Sequence, residues 1–543
     1  MEVPGTPTGE APRSALEGFA LLGVVTFLTF WMRFVLADQE SYWLDELFSV
    51  EQYVVLAGTV GEAIRSLAET SVHPPVYQFL LYYWVEFIGS TETATRTLSN
   101  LFVTVAVVVL HRLVGRAHGR GIANATAIVF ALCYAVTFFG LETRSYAQTM
   151  LLVVLSSFAL MRYLQALQAR DGVRRLWPGW PAASLLGANV ALLLTHYYNL
   201  FYWASQAVFA ALLLVVAGRH GDRFSALPAL ITAYLFQLII FLLVWGETAY
   251  VTLGGHRPGY EVDTPENTPL AILASATEQT FDFGPVGSRM GLLLIIALVV
   301  WRVIGRRRSS RGLQIEHVAS LYSLWMTAMP AVMAYLVFVT IDAERFSPRY
   351  FVYLVPHIAV LGVLGASHGV ARALDLLRTN RRGPRADHLR RFGLLYTLGL
   401  VTLFVIPGTV NAATHDKTDW RGMGQDVVSL VRSDPEHDYA IYQTSFRSIP
   451  LLDHYLRRFS EGEITATGVI QRSEEAGGSF AIEEDDWSEV ERRDRLIVVF
   501  AHHSTEEFPI ALSRLEGRYA IHQALLDDTG RGLVIFDLTD PRG

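Results

Sequence analysis

Residues 226–246 read ALPALITAYLFQLIIFLLVWG, a run of 21 residues without a charged side chain. At a rise of 1.5 Å per residue, about 20 apolar residues form an α-helix long enough to cross the hydrocarbon core of a bilayer. Similar runs recur along the chain, which predicts a polytopic α-helical membrane protein. We predict eleven spans, at 16–37, 94–115, 122–140, 147–165, 182–200, 201–217, 226–246, 286–305, 317–341, 350–371 and 391–411.

The composition agrees with this fold class and excludes several others. Of the 543 residues, 52 % are hydrophobic and only 17 % are charged, whereas soluble proteins carry about 25 % charged residues. The high apolar content excludes a disordered chain, and a single cysteine, Cys133, excludes a disulfide scaffold. The net charge of −7 and the absence of an accessible basic block exclude a nucleic-acid partner.

The distribution of arginine predicts the orientation in the membrane. Every second predicted loop is rich in arginine, whereas the alternating loops 38–93 and 247–285 are poor in it. Positively charged loops stay on the cytoplasmic side of a membrane. We therefore expect a multi-pass protein of the cell membrane with a cytoplasmic N-terminus and with residues 412–543 outside.

Two domains are expected, a transmembrane domain 1–411, whose first outer loop is 38–93, and a soluble α/β domain 412–543. The second part lacks long apolar runs and holds 25 Asp and Glu against 14 Lys and Arg, a formal net charge of −11. Its patterns predict strands at 439–444, 495–501, 519–526 and 532–538, and helices near 420–433, 448–459 and 506–517.

Polar side chains collect in the predicted outer turns, close to the membrane boundary. Ionisable groups are costly there, so each is a candidate for function. Asp45 and Glu46, just after the first span, are the candidate catalytic pair. The candidate binding residues are His73, Glu142, Arg144, Tyr146, His196, Tyr197, Arg345, Arg349 and Tyr350.

These residue types suit sugar transfer from a lipid phosphate. A carboxylate beside an apolar wall can deprotonate a hydroxyl, and arginine binds phosphate through two parallel hydrogen bonds. Tyrosine rings offer faces for a sugar, and outside the cell a lipid-linked donor replaces the missing nucleotide sugars. Asp45 and Glu46 could also hold a divalent metal, Mg²⁺ or Mn²⁺, and no other cofactor is indicated.

Several segments resemble motifs of the GT-C glycosyltransferases, and in particular of the protein O-mannosyltransferase and aminoarabinose transferase superfamily. Trp43-Leu44-Asp45-Glu46 followed by Val72-His73-Pro74-Pro75-Val76-Tyr77 resembles the first outer loop of these enzymes. Further similar motifs lie at 142–146, 195–198, 349–350 and 417–421, so the resemblance runs from residue 16 to about residue 425.

The resemblance implies a GT-C fold and a polyprenyl-phosphate sugar as donor, with a dolichyl or undecaprenyl chain and a hexose such as mannose or a pentose. It implies inversion at the anomeric carbon and a protein, glycan or lipid as acceptor. It also implies that Asp45 is the base, with Glu46 as its neighbour, and that His73 lies where relatives place a cation near the donor phosphate.

Other interpretations remain open. A polyprenyl-lipid flippase or secondary transporter is the main alternative, although such proteins usually contain internal repeats, and none is detectable in this sequence. A non-catalytic scaffold is a third possibility. Glu142 with Arg144 could be a structural ion pair, and His196 could be an interfacial histidine of an aromatic belt. Convergence of these side chains on one site would favour the enzyme.

Overall fold

The computed structural model describes residues 11–70, 73–168, 179–218, 227–253, 268–281, 315–341, 347–376, 402–415, 418–443, 449–469, 471–473, 479–481, 492–500, 519–526 and 532–541, with isolated residues between 284 and 300 and at 399 and 490. The chain divides into two compact units. The first, the helical unit, comprises Met1–Ala37 and Tyr53–His415, and the second, the α/β unit, comprises Asp38–Gln52 and Asp416–Gly543.

The described helices include the long apolar runs of the sequence. They are α1 (Ala11–Leu36), α2 (Leu44–Leu47), α3 (Val60–Thr70), α4 (Val76–Ile88), α5 (Glu92–His118), α6 (Arg120–Leu132), α7 (Tyr134–Gly140), α8 (Tyr146–Gln168), α9 (Trp180–Leu193), α10 (Asn199–Gly218), α11 (Leu227–Leu253), α12 (Pro269–Glu278), α13 (Ile315–Ile341), α14 (Val355–Leu376), α15 (Thr402–Ala413), α16 (Trp420–Ser433) and α17 (Ile449–Ser460). A π-helix covers Phe48–Val55 and a 3₁₀ helix covers Pro348–Leu354.

Six described helices are long and apolar enough to cross a membrane, judged by length and composition: Glu92–His118, Tyr146–Leu167, Asn199–Val216, Leu227–Thr252, Glu316–Thr340 and Pro348–Gly369. The bent pair α6–α7 would make a seventh. The predicted count of eleven is not confirmed. Three of the other predicted spans coincide with shorter apolar helices, Ala20–Leu36, Trp180–Leu193 and Thr402–Ala413. Half of span 286–305 lies outside the described residues. The multi-pass helical architecture itself is present.

The break between α6 and α7 bends this span by 51°. Cys133 lies between the two helices in an extended conformation, so backbone groups around it lose their helical partners. Other segments supply replacements, as apolar surroundings require. Buried Arg33 donates to the Ala131 carbonyl oxygen at 3.1 Å, Thr409 donates to the Leu132 carbonyl oxygen, and the Ala135 N–H donates to the Gln279 carbonyl oxygen at 2.9 Å.

The α/β unit contains a five-stranded sheet. Its strands are β1 (Tyr439–Gln443), β2 (Gly468–Val469), β5 (Arg495–Phe500), β6 (Tyr519–Leu526) and β7 (Gly532–Pro541), in the order β2-β1-β5-β7-β6; β3 (Gln471–Ser473) and β4 (Ser479–Ala481) form a separate pair. β1 is parallel to β2 and β5, whereas β7 is antiparallel to β5 and β6. The four predicted strands and the helices near 420–433 and 448–459 are present, and the helix predicted at 506–517 lies outside the described residues.

The segment Asp38–Gln52 belongs to the α/β unit, although the sequence predicts it as part of one loop, 38–93, of the transmembrane domain. Its partners explain this grouping. Ser41 donates from Oγ to the Thr418 carbonyl oxygen at 2.8 Å, and the Tyr42 N–H donates to Tyr455 Oη at 2.7 Å. Arg421 pairs with Asp38 at 3.1 Å. The hydrogen bonds therefore tie this segment to α16 and α17.

Candidate active site

Several turns of the helical unit meet where helices begin. The turn with His73 precedes α4, the turn with Arg144 precedes α8, and the turn with His196 precedes α10. The Val76 N–H donates to the Leu194 carbonyl oxygen at 3.0 Å, which ties the first turn to the third. Arg349 lies at the start of the 3₁₀ helix Pro348–Leu354. The N-terminal ends of helices carry partial positive charge and favour anions.

His73 and Arg144 are in direct contact. Nη2 of Arg144 lies 3.0 Å from Nε2 of His73. Because a guanidinium group can only donate hydrogen bonds, Nε2 of His73 is the acceptor and carries no proton. His73 is therefore a neutral imidazole with its proton on Nδ1.

His196 is buried, with 4 % of its surface exposed, and its ring centroid lies 5.0 Å from that of His73. The Tyr198 N–H donates to Nδ1 of His196 at 3.2 Å, so the proton of this imidazole is on Nε2. Among the described residues, Nε2 of His196 has no hydrogen-bond partner. The site therefore presents a buried N–H donor to whatever occupies it.

Electrostatics keep both histidines neutral. Burial lowers the pKa of His73 well below its ordinary value, and the positive charges of Arg144 and Arg349 lower it further. Burial, followed by the same two arginines, lowers the pKa of His196 from 6.5 to about 3. Both arginines thus act on both imidazoles, which brings all four side chains into one cluster, and the positive charge of the cluster comes from arginine.

Aromatic rings line this cluster. The His196 ring centroid lies 6.0 Å from that of Tyr146 and 5.2 Å from that of Tyr350. Tyr198 lies 4.7 Å from Tyr350, and Cζ of Arg349 lies 5.8 Å from the Tyr350 ring centroid. These rings could form a face for a sugar.

Tyr198 was not among the predicted site residues, whereas its neighbour Tyr197 was. The Tyr197 hydroxyl accepts a hydrogen bond from Nε1 of Trp245 on α11 at 2.9 Å. The signal in the sequence is the motif Thr195-His196-Tyr197-Tyr198 as a whole. It marks the turn, and only the folded backbone decides which tyrosine lies beside His196.

Two further predicted residues have different positions. Glu142 is buried, and its carbonyl oxygen accepts the Arg144 N–H at 2.9 Å, which shapes the turn that presents Arg144. Thr143 of the same turn donates to Oγ1 of Thr95 on α5 at 2.9 Å. Arg345 lies outside the described residues.

The α/β unit holds the predicted catalytic pair on the short helix α2. Oε2 of Glu46 accepts the Trp43 N–H at 3.3 Å and thereby caps the helix. Glu46 is fully buried, whereas Asp45 is half-buried, and the Asp45 carbonyl oxygen accepts the Ser49 hydroxyl at 2.9 Å. Glu46 therefore has a structural function within its own loop.

Within the ranges that the structure describes, no group of three or more His, Cys, Asp or Glu side chains could hold a metal ion. The chemistry that the cluster in the helical unit offers is anion binding by Arg144 and Arg349. The Nε2–H of His196 adds a hydrogen-bond donor for an oxygen atom.

No family model matches the sequence, and no curated protein matches it significantly. Solved structures do match. ArnT from Cupriavidus metallidurans in the apo state gives a TM-score of 0.55 at 13 % identity, over 97 % of this chain and 98 % of that chain. The crystal structure of the same protein bound to undecaprenyl phosphate gives 0.54 at 13 % identity, over 96 % and 98 %.

A third match is the archaeal oligosaccharyltransferase AglB from Archaeoglobus fulgidus, with a TM-score of 0.45 at 10 % identity over 95 % of this chain and 74 % of that chain. The chain shares the fold of ArnT over nearly its whole length, so the expected resemblance is confirmed at the level of the fold.

Proposed function

We propose that the protein is a membrane glycosyltransferase that takes a sugar from a polyprenyl-phosphate donor. The observation that carries the proposal is the cluster of Arg144, Arg349, His73 and His196 at the helix beginnings, lined by tyrosines. The fold adds support, since ArnT, which shares it, has been crystallised with undecaprenyl phosphate. Dolichyl and undecaprenyl phosphates are the candidate carriers.

In this proposal the arginines bind the donor phosphate. Arg144 and Arg349 stay charged at every physiological pH, and guanidinium groups match two phosphate oxygens at once. The Nε2–H of His196 donates to a further oxygen, of the phosphate or of the sugar. Tyr146, Tyr198 and Tyr350 pack against the sugar ring.

We propose Asp45 as the base. Its carboxylate accepts the proton of the acceptor hydroxyl while the hydroxyl oxygen forms a bond to the anomeric carbon. The bond from that carbon to the phosphate oxygen breaks, and polyprenyl phosphate leaves with the electron pair. A single displacement of this kind inverts the anomeric centre. Glu46 is the weaker candidate, because its carboxylate already caps α2.

The acceptor in this proposal is a hydroxyl group of a protein, a glycan or a lipid on the outer side of the cell membrane. The arrangement of arginine-rich loops supports this placement, since it predicts that the α/β domain lies outside.

The proposal is tested with the full chain, purified in detergent and incubated with radiolabelled dolichyl- and undecaprenyl-phosphate sugars and an acceptor extract. We expect label to leave the lipid and to appear on an acceptor. Asp45→Asn should lower the transfer rate about 10²- to 10⁴-fold and leave donor binding unchanged. Glu69→Gln, which alters an exposed carboxylate of α3, is the matched control.

Donor binding is tested separately. Arg144→Gln and Arg349→Gln should each weaken binding of the donor about 10- to 100-fold, since each removes charged hydrogen bonds to phosphate. Arg112→Gln, which changes an exposed arginine of α5, should have no effect. If the protein bound the lipid but released no sugar with any donor or acceptor, the flippase alternative would replace the proposal, and lipid transport in proteoliposomes would be measured next.

A further inference from the structure

A cavity lies in the helical unit, between α5, α8, α13 and α14. It has a volume of about 60 Å³. Arg162, which lines it, follows Tyr146 of the candidate active site on the same helix, α8, by a distance of about 24 Å at 1.5 Å per residue. The cavity is therefore at the opposite end of the helices and is separate from the candidate active site.

The exposure of its lining residues shows where this cavity opens. Arg116, Arg162 and Gln165 are exposed, whereas Val154 and His357 are buried. The mouth therefore lies at the arginine-bearing ends of α5 and α8. The positive-inside pattern predicts that these ends face the cytoplasm.

Two arginines flank one aromatic ring at this mouth. Cζ of Arg116 lies 4.8 Å from the ring centroid of Phe158. Arg162 follows Phe158 by one helical turn and so lies on the same face of α8. No Asp or Glu is among the lining residues that the structure describes. The mouth therefore carries positive charge without a lining carboxylate to neutralise it.

The interior of the cavity is lined mainly by apolar side chains. Its walls include Leu110, Val114 and Met161. The buried polar lining groups Ser157, Tyr322 and His357 are hydrogen-bonded within the protein. Ser157 Oγ lies 2.8 Å from Tyr202 Oη, which in turn lies 3.3 Å from Nε2 of His357. These groups need no polar ligand, so the interior suits an apolar chain.

We infer that this cavity binds an anionic membrane phospholipid, with its phosphate at Arg116 and Arg162 and part of an acyl chain against the apolar walls. The charge at the mouth favours this occupant, because arginine binds phosphate well and each basic residue near an anionic lipid headgroup contributes to affinity. The inference is independent of the proposed catalytic activity.

The test uses the full chain, purified in detergent, and native mass spectrometry with two added probes, phosphatidylglycerol and phosphatidylcholine with identical acyl chains. We expect the wild-type protein to retain phosphatidylglycerol in preference to phosphatidylcholine. Arg116→Gln and Arg162→Gln should each weaken phosphatidylglycerol binding about fivefold. Ala319→Phe, which fills the cavity, should weaken it without a change in charge.

Arg112→Gln is the matched control, since Arg112 is exposed on α5 one turn before Arg116 and does not line the cavity. Phosphatidylglycerol binding should be unchanged in this variant. Equal retention of the two lipids by the wild type, or equal losses in Arg112→Gln and Arg116→Gln, would overturn the inference. Size-exclusion chromatography identifies a variant that fails to fold, and the remaining variants then decide the outcome.

Discussion

At His196, burial and two nearby arginines keep the imidazole neutral, and one backbone hydrogen bond places its proton on Nε2. The folded protein keeps this imidazole neutral down to about pH 3, whereas the unfolded chain protonates it below its ordinary pKa of 6.5. The unfolded state therefore binds more protons between these values, and stability falls as the pH falls below 6.5. The slope for one such group is about 1.4 kcal/mol per pH unit.

We accordingly expect the melting temperature of the wild type to fall as the pH is lowered from about 7 to about 4. His196→Asn should lose part of this dependence, because Asn does not titrate and its carbonyl oxygen can still accept the Tyr198 N–H. The measurement is thermal unfolding in detergent at several pH values. An identical slope in wild type and variant would contradict the assigned protonation state.

The same residues show how far a sequence can predict a site. Charge and aromatic character at the predicted outer turns singled out His73, Arg144, His196 and Arg349 as candidates, because ionisable groups at membrane boundaries are costly. The structure brings these four side chains into one cluster, and their role stays a prediction. The choice of Tyr198 as the ring beside His196 could not be predicted. It depends on the dihedral angles of a short turn, which the spacing of residues does not encode.

At the scale of the helix, Arg33 links the break between α6 and α7 to Gly140 at the end of α7, which allows a prediction. A Cβ atom added at Gly140 would lie 2.8 Å from Cδ of Arg33 and 3.1 Å from Cγ2 of Val103. Arg33 cannot easily retreat, since its guanidinium group bonds to Asn100 and to the Ala131 carbonyl oxygen at the break. Gly140→Ala should therefore cost about 1–3 kcal/mol of stability.

Thermal unfolding of the detergent-solubilised protein measures this cost. Gly23→Ala is the matched control, because nothing lies within 4 Å of a Cβ added at Gly23 of α1. Its melting temperature should equal or exceed that of the wild type. If Gly140→Ala behaved like Gly23→Ala, the packing assigned to the break would be wrong.

The attachment of the segment Asp38–Gln52, which carries Asp45, allows a second prediction at this scale. Tyr455→Phe removes the acceptor of the Tyr42 N–H, and both residues are buried. An unsatisfied buried N–H costs about 1–3 kcal/mol, so the segment should be held less firmly and the transfer rate should fall with donor affinity unchanged. Tyr83→Phe, which removes an exposed hydroxyl, is the control. An unaltered rate and melting temperature in Tyr455→Phe would refute the positioning role.

At the scale of the whole molecule, the orientation can be tested with cysteine labelling. Cys133 is the only cysteine in the sequence and is fully buried, so its background reaction is low. In a Cys133→Ala background, Ser433→Cys in α16 should react in intact cells with a maleimide that does not cross membranes. Arg120→Cys, at the start of α6, should react only after permeabilisation. The reverse pattern would invert the predicted topology.

The domain organisation was predictable only where local patterns determine it. Short runs rich in β-branched and aromatic residues revealed the strands at 439–443 and 495–500, and long apolar runs revealed spans such as Leu227–Thr252. The number of spans was not predictable from the apolar runs. A break like that at Cys133 divides a helix within one run, and a short helix like α9 covers only part of another. Nor could the sequence predict that 38–52 groups with residues more than 360 positions away, since long-range hydrogen bonds leave no local pattern.

The membership of Asp38–Gln52 in the α/β unit has a consequence for recombination. A chimera that exchanges only residues 416–543 with those of a related protein would separate Ser41 and Tyr42 from the partners with which they were selected. The α/β unit is discontinuous in sequence, and its smaller part, Asp38–Gln52, contains the proposed base. A graft of the α/β unit must therefore carry both pieces together.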